Sequence, residues 1–251
     1  MNITVYPRSM QGVGNFNDGQ IIEYKPIAFP RETTAIPRLG PLFYWAWAET
    51  KITSKIPLHP HRAFEILSYG LKGKVEHYDT AGHQTFMQEG DAQLIKAGSG
   101  ISHSETLFAP HTEMFQIWFE PNLSETITHH PFYAQYNNED FPVKQEDEST
   151  IKTIIGEHSS IELETDVQMY DITTTNSFDY VYKENRQLAI MVIEGNGVIN
   201  GNDVRATDFV VITELNEKIH FTTNDALRVV VIDVPIETDY PLYHKVYEAN
   251  P

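Results

Sequence analysis

Short apolar runs, broken at close intervals by glycine, proline or an Asp turn, set the pattern of this chain. Residues 1–41 carry turn punctuation at Gly12, Gly14, Gly19, Pro26, Pro30, Pro37 and Pro41 around pieces such as Ile21-Ile22-Glu23-Tyr24, which predicts an arm and edge strands. The run Leu42-Phe43-Tyr44-Trp45-Ala46-Trp47-Ala48 is too aromatic for a loop and too short for a typical helix, so it reads as a buried strand whose rings serve the core. From Ile56 onward, glycines at 70, 73, 82, 90, 98 and 100 separate apolar stretches around Phe64-Glu65-Ile66-Leu67, Val75-Glu76-His77-Tyr78, Ala92-Gln93-Leu94-Ile95 and Met114-Phe115-Gln116-Ile117-Trp118. Many short strands at this spacing predict an antiparallel barrel or sandwich, and no helical period interrupts them before Glu120.

Residues 121–147 form a polar interval that reads as a linker, with a short helix expected near residues 131–137. Beyond it the strand pattern resumes, with Leu188-Ala189-Ile190-Met191-Val192-Ile193 and Leu227-Arg228-Val229-Val230-Val231-Ile232 as its longest runs. The two halves echo one another faintly. Gly70-Leu71-Lys72-Gly73 and Gly90-Asp91-Ala92 recur in order as Glu194-Gly195-Asn196-Gly197 and Thr207-Asp208-Phe209. This predicts a second barrel arising by duplication.

Composition narrows the function classes. The 251 residues are enough for one large domain or two ordinary ones. The formal net charge of −17, from 35 acidic against 18 basic residues, argues against direct contact with nucleic acid, because phosphate binding is driven by clustered Lys and Arg. Cysteine is absent, which excludes disulfides, thiolate metal sites and cysteine nucleophiles. The first residues lack a secretory pattern and no apolar run reaches the roughly 18 residues of a membrane helix. A cytoplasmic monomer with no membrane association is expected.

The candidate chemistry lies within residues 58–105. Side chains alternate along a strand, so His59 and His61 emerge on one face, and so do His103 and Glu105. Two such pairs could meet inside a barrel. Three imidazoles and a carboxylate suit a borderline divalent ion, namely iron, manganese, nickel, cobalt, copper or zinc, and the lack of thiolates argues against a closed structural zinc site. A His-x-His alone is weak evidence; joined to His-x-Glu among glycine turns it carries the prediction. Where the first half has its two histidines, the second offers Glu184, Asn185, Arg186 and Gln187, so no ion is expected there. His77 and His83 read as structural or rim residues. His111, His129, His130, His158, His220 and His244 read as surface or hydrogen-bonded residues. Gln116 either contacts the site or is a satisfied core amide.

These residues resemble the cupin superfamily. Its first motif joins His-x-His to a following Glu and Gly, here His59-Pro60-His61, Glu65 and Gly73, without the upstream Gly. More narrowly the chain is similar to pirin-family bicupins, whose signature His-Pro-His-Arg-Gly-Phe-Glu stands here as His59 to Glu65 with Ala63 for the glycine. The later parts of that signature stand as Gly90-Asp91-Ala92-Gln93, Ala97-Gly98-Ser99-Gly100-Ile101-Ser102-His103-Ser104-Glu105 and Gln116-Ile117-Trp118. The resemblance implies an all-β fold of two tandem cupin jelly-roll barrels, residues 1–125 with the metal site and residues 126–251 degenerate and metal-free. It implies His59, His61, His103 and Glu105 as ligands of one divalent ion, Fe2+ first among the candidates. Glu65 competes, because many other cupins bind metal through that Glu and strand alternation also points it inward. Glu65, Gln116 and His77 are further candidates for the shell around the ligands or the substrate pocket.

The function implied is a quercetin 2,3-dioxygenase-like oxidoreductase acting on a flavonol or related aromatic and dioxygen, with Glu105 accepting the substrate's proton. Two alternatives stand beside it. One is a non-catalytic iron protein that senses redox state and binds a transcription factor or other protein partner. The other is a different small-molecule cupin enzyme such as an isomerase.

Overall fold

The computed structural model describes residues 1–29 and 32–243; Pro30 and His244, both named above, lie outside them. The regular secondary structure of the described residues is almost entirely strand, with a single four-residue α-helix at Leu123–Thr126 and 3-10 turns at Arg8–Met10 and Asn138–Asp140. No helix among these residues is long and apolar enough to cross a membrane.

Two compact units divide the chain. One, here the amino-terminal barrel, comprises Gln11–Asp140, Leu163–Thr165 and, among the described residues, 238–243. The other, the carboxy-terminal barrel, comprises Met1–Met10, Phe141–Glu162 and Asp166–Glu237.

The amino-terminal barrel has two antiparallel sheets. A seven-stranded sheet runs in the order Phe132–Tyr136, Ala92–Lys96, Glu65–Lys72, Thr112–Phe119, Leu42–Thr50, Ile21–Ile27, Gly12–Phe16. A four-stranded sheet runs Ser54–His61, Ile101–Leu107, Lys74–Asp79, Gln84–Gln88. Ile21, Ala48 and Met114 of the larger sheet pack on Ile56, Val75, Met87 and Leu107 of the smaller in one buried cluster. The sheets therefore meet face to face, and period-2 alternation places every second side chain between them. The aromatic run lies wholly buried in the strand Leu42–Thr50, with Trp45 meeting Phe115 edge-on at 5.3 Å.

The interval after Glu120 differs from its expectation. Residues 132–136 form no helix; Phe132–Tyr136 is an edge strand paired antiparallel with Ala92–Lys96, and the helix lies earlier. Polar Gln135 occupies this strand because Gln93 Nε2 donates to its Oε1 at 3.0 Å, an inter-strand partnership invisible in local composition.

In the carboxy-terminal barrel, Leu188, Ile190, Val192, Ile212, Phe221, Val229 and Val231 belong to one apolar cluster. Its first strand is Asn2–Tyr6, which pairs with Phe209–Thr213. Arg186, at the place echoing the histidines, is buried and bound by Asp233 and by Asp166 at 2.6 Å. Tyr180 donates to the same Asp233 at 3.0 Å.

Candidate metal centre

His59 and His61 lie near the end of the strand Ser54–His61, and His103 lies opposite on Ile101–Leu107, with His103 paired to His59 and Ile101 to His61. Between this pair and the next, Glu105 to Ile56, the first strand carries one residue more than the second. This bulge falls at Pro57-Leu58 and bends the strand so that its final turn of side chains is re-aimed. The Pro57 carbonyl lies 2.8 Å from His59 Nδ1. A carbonyl only accepts, so Nδ1 carries the proton and Nε2 presents its lone pair. The bulge thus sets both the direction and the tautomer of His59.

The three rings converge. Their centroids stand 4.5 Å apart for His59–His103 and 4.8 Å for both His59–His61 and His61–His103. One ring nitrogen from each lies within 4.8 Å of the other two, the single such group of histidines or carboxylates among the described residues. His61 Nε2, both nitrogens of His103 and Glu105 Oε2 are buried without a hydrogen-bond partner. Buried polar atoms left unpaired cost about 1–3 kcal/mol each, and four of them in one place point to a missing partner that a cation would supply. Neutral imidazoles with a carboxylate are also the donor set that a first-row divalent ion accepts.

Burial pushes the His103 imidazole down to about 2, with His59 and His77 adding to the effect. Burial likewise lowers His61 to about 3, helped by the neighbouring His103 and His59. Both rings are therefore neutral donors rather than cations at ordinary pH. Because the unfolded chain takes up these protons near the ordinary value of 6.5 while the folded chain does not, the metal-free protein is expected to lose stability as pH falls from about 6.5 toward 4. Thermal melting of metal-free protein across that range checks it; a flat profile would mean the rings are hydrated.

Glu105 stands beside the triad, outside the 4.8 Å group. Its Oε1 lies 3.3 Å from His103 Nδ1 and accepts from Gln116 Nε2 at 2.7 Å. Trp118 Nε1, which can only donate, gives to Gln116 Oε1 at 3.1 Å, so the Gln116 amide is locked with its NH2 toward the carboxylate. Burial raises the Glu105 carboxyl above the usual range, with His59, His77 and Gln116 pulling the other way. Trp118 also meets His61 edge-on at 4.8 Å and stacks on Tyr44 at 4.5 Å. The sequence left Gln116 between two roles and gave Trp118 a place only within the Gln-x-Trp signature, whose spacing puts both on one strand face.

Behind the triad, His77 pairs with Glu105 and Asp79 with His103 across the neighbouring strand. Asp79 is fully buried and accepts from His77 Nε2 at 3.0 Å, His83 Nδ1 at 2.9 Å and the Ala81 and His83 amides. The His77 ring stacks on Tyr133 at 4.2 Å. His77 is thus a packed wall of the site. His83 is held on the same carboxylate with its side chain 43% exposed.

Glu65 differs from its expectation. It is 1% exposed, yet its Oε1 accepts from the Glu164 amide at 2.7 Å and its Oε2 from the Thr165 amide at 3.1 Å and hydroxyl at 2.5 Å. The adjacent Ile66 packs in the cluster with Trp118 and Ile101, so Glu65 faces the other side of its sheet. The inward reading assumed that alternation continues from His61. It does not, because residues 62–64 leave the strand and Ala63 takes a left-handed φ of 70°. Glycine adopts that conformation without the β-carbon clash. Ala63→Gly is therefore expected to stabilise the protein by about 1 kcal/mol in urea titration.

Comparison with known proteins reaches both halves of the chain. Residues 37–119 match the family model described as Pirin, and residues 151–234 match the quercetinase C-terminal cupin domain. A quercetin 2,3-dioxygenase of Escherichia coli K12 is 29% identical over 183 residues, covering 70% of this chain and 75% of that protein. A pirin-like protein of Solanum lycopersicum is 29% identical over 162 residues, covering 60% of this chain; the match spans only 54% of the tomato protein's length. Among solved structures, a bacterial pirin of E. coli in complex with nickel(II) superposes with a TM-score of 0.79 at 23% identity, covering 93% of this chain and 99% of that one. At that identity the likeness shows the fold alone: two cupin domains.

Proposed function

The chain belongs to the pirin family of bicupins, and on that footing we propose that its amino-terminal barrel holds one divalent ion, Fe2+ first, and oxidises a flavonol or related phenolic aromatic with dioxygen. The observation that carries this is the convergence of His59, His61 and His103 with their buried, unpartnered nitrogens. Relatives bearing the name quercetin 2,3-dioxygenase support the reaction class.

An ion bound there supplies Lewis-acid and redox chemistry. The chain's own residues do the rest. His59, with its tautomer set by Pro57, and the neutral His61 and His103 bind and orient. Glu105 is the proton acceptor for the substrate hydroxyl at Oε2, the oxygen that Gln116 leaves free. Its raised pKa makes it a stronger base than an exposed carboxylate. If it also ligates the ion, it must swing aside to take the proton, and Gln116 gives Oε1 a partner to pivot on.

Anaerobic titration with quercetin, followed by oxygen uptake and carbon monoxide release, tests the reading in protein loaded in turn with iron, manganese, nickel, cobalt and copper. Turnover with any one supports it. None with all five sinks the dioxygenase and leaves a metal-binding protein without this catalysis.

A further inference from the structure

From the triad a line of touching rings runs into the larger sheet. Trp118 meets the His61 ring at 4.8 Å, and Tyr44, its cross-strand partner, stacks on Trp118 at 4.5 Å. Both are buried. Phe29, whose ring resists oxidation, stands over them at 5.3 Å from Trp118 and 5.0 Å from Tyr44. In a chain without cysteine, Trp and Tyr are the side chains that give up an electron most readily. The Tyr44 hydroxyl is hydrogen-bonded to the Glu23 carboxylate. Glu23 is buried on Ile21–Ile27 opposite Gly14, where an added β-carbon would meet Glu23 Oε2 at 3.2 Å and Lys25 Nζ at 3.1 Å. The bare glycine lets this carboxylate and ammonium gather beneath the phenol. Burial pushes the Glu23 carboxyl up to about 7, against the pull of Lys25. Burial also holds the Tyr44 phenol protonated, well above its usual range. A protonated phenol gives up an electron readily only when its proton leaves too, and Glu23 is the base placed to receive it. Trp118 has no such base, because its Nε1 donates to the Gln116 amide oxygen. Tyr133, which stacks on His77 at 4.2 Å, has only the Thr85 hydroxyl on its own.

We propose that Trp118 and Tyr44 pass single electrons to the metal centre while Glu23 takes the phenol proton, so that a hydroperoxide arriving without organic substrate oxidises Tyr44 and spares the imidazoles. This rests on the metal-centre reading given above and adds a second reaction to it. The hydroperoxide O–O bond breaks on taking up two electrons, one from Fe2+, which becomes Fe3+, and one from Tyr44 by way of Trp118. Tyr44 loses its O–H hydrogen as that electron and a proton, and the proton passes to Glu23. Two protons from water complete the products, an alcohol and a water. Tyr44 is where the oxidising equivalent rests, because it alone of the two stacked rings has a carboxylate on its proton.

The test mixes full-length, Fe2+-loaded protein with hydrogen peroxide at pH 8, where Glu23 is ionised, and freezes samples at intervals for electron paramagnetic resonance. Peptide mass spectrometry then reads oxidation of His59, His61 and His103. Wild type is expected to give a tyrosyl radical that Tyr44→Phe abolishes and Tyr133→Phe retains. Trp118→Phe keeps a ring that resists oxidation, and Glu23→Gln keeps an acceptor oxygen that is no base; each should lower the radical yield about tenfold or more. Histidine oxidation should rise severalfold in Tyr44→Phe. No tyrosyl signal in wild type, a signal that survives Tyr44→Phe, or equal histidine oxidation in the two proteins overturns the proposal. Iron content is measured first. One equivalent retained alongside those results leaves the metal centre standing, whereas wild type that holds no iron removes the centre and this proposal together. Tyr44→Phe and Glu23→Gln preserve shape, so they decide the matter if Trp118→Phe fails to fold.

Discussion

Replacing His103 with alanine is expected to take bound metal from about one equivalent to less than a tenth, with affinity down at least a hundredfold. His103 is central because its ring faces both other imidazoles, at 4.5 and 4.8 Å, and neither of its nitrogens has a hydrogen-bond partner. Two imidazoles from one strand would remain, too few to outcompete water. Elemental analysis after gel filtration reads the content, and circular dichroism checks that the strands persist. His83→Ala is the control. It removes a partly exposed ring from Asp79 and should leave the content unchanged. Equal metal in wild type and His103→Ala would refute the centre.

The second large effect separates two carboxylates that sequence alone could not. Glu65→Gln is expected to cost about 3 kcal/mol of unfolding free energy with metal content unchanged. Glu105→Gln should weaken the ion about ten- to a hundredfold with little loss of metal-free stability. Glu65 accepts from two backbone amides and a hydroxyl in the Leu163–Thr165 segment, so an amide there sets a donor against donors in a buried place. Glu105 has one unpartnered oxygen, and burial already disfavours its charge, so Gln there keeps an oxygen for Gln116 and loses the anionic donor beside the triad. Urea unfolding and metal analysis on the two variants read both quantities; the reverse assignment of effects would exchange the two roles.

The constellation was legible because its parts are local: His-x-His and His-x-Glu each lie within one strand, where a period of two fixes the face. The all-β architecture was legible for the same reason, since glycine turns bound each apolar run. What stayed hidden depends on partners far along the chain. Alternation could not foresee that Ala63 would reset the phase before Glu65. Nor could composition foresee that Phe132–Tyr136, set within a polar interval where a short helix was expected, is held as a strand by Gln93 and its neighbours. The bulge at Pro57-Leu58 shows only when two strands are laid side by side.

The pairing of Asn2–Tyr6 with Phe209–Thr213 bears on how the chain is born. During synthesis the strand Asn2–Tyr6 must wait for a partner about 200 residues later in the chain, roughly 10–40 s at ordinary elongation rates. The strands from Gly12 to Tyr136 can close around the histidines in the meantime, needing only the Leu163–Thr165 segment to cover Glu65. The nascent chain would thus have its histidine-bearing barrel assembled while Asn2–Tyr6 is still unpaired.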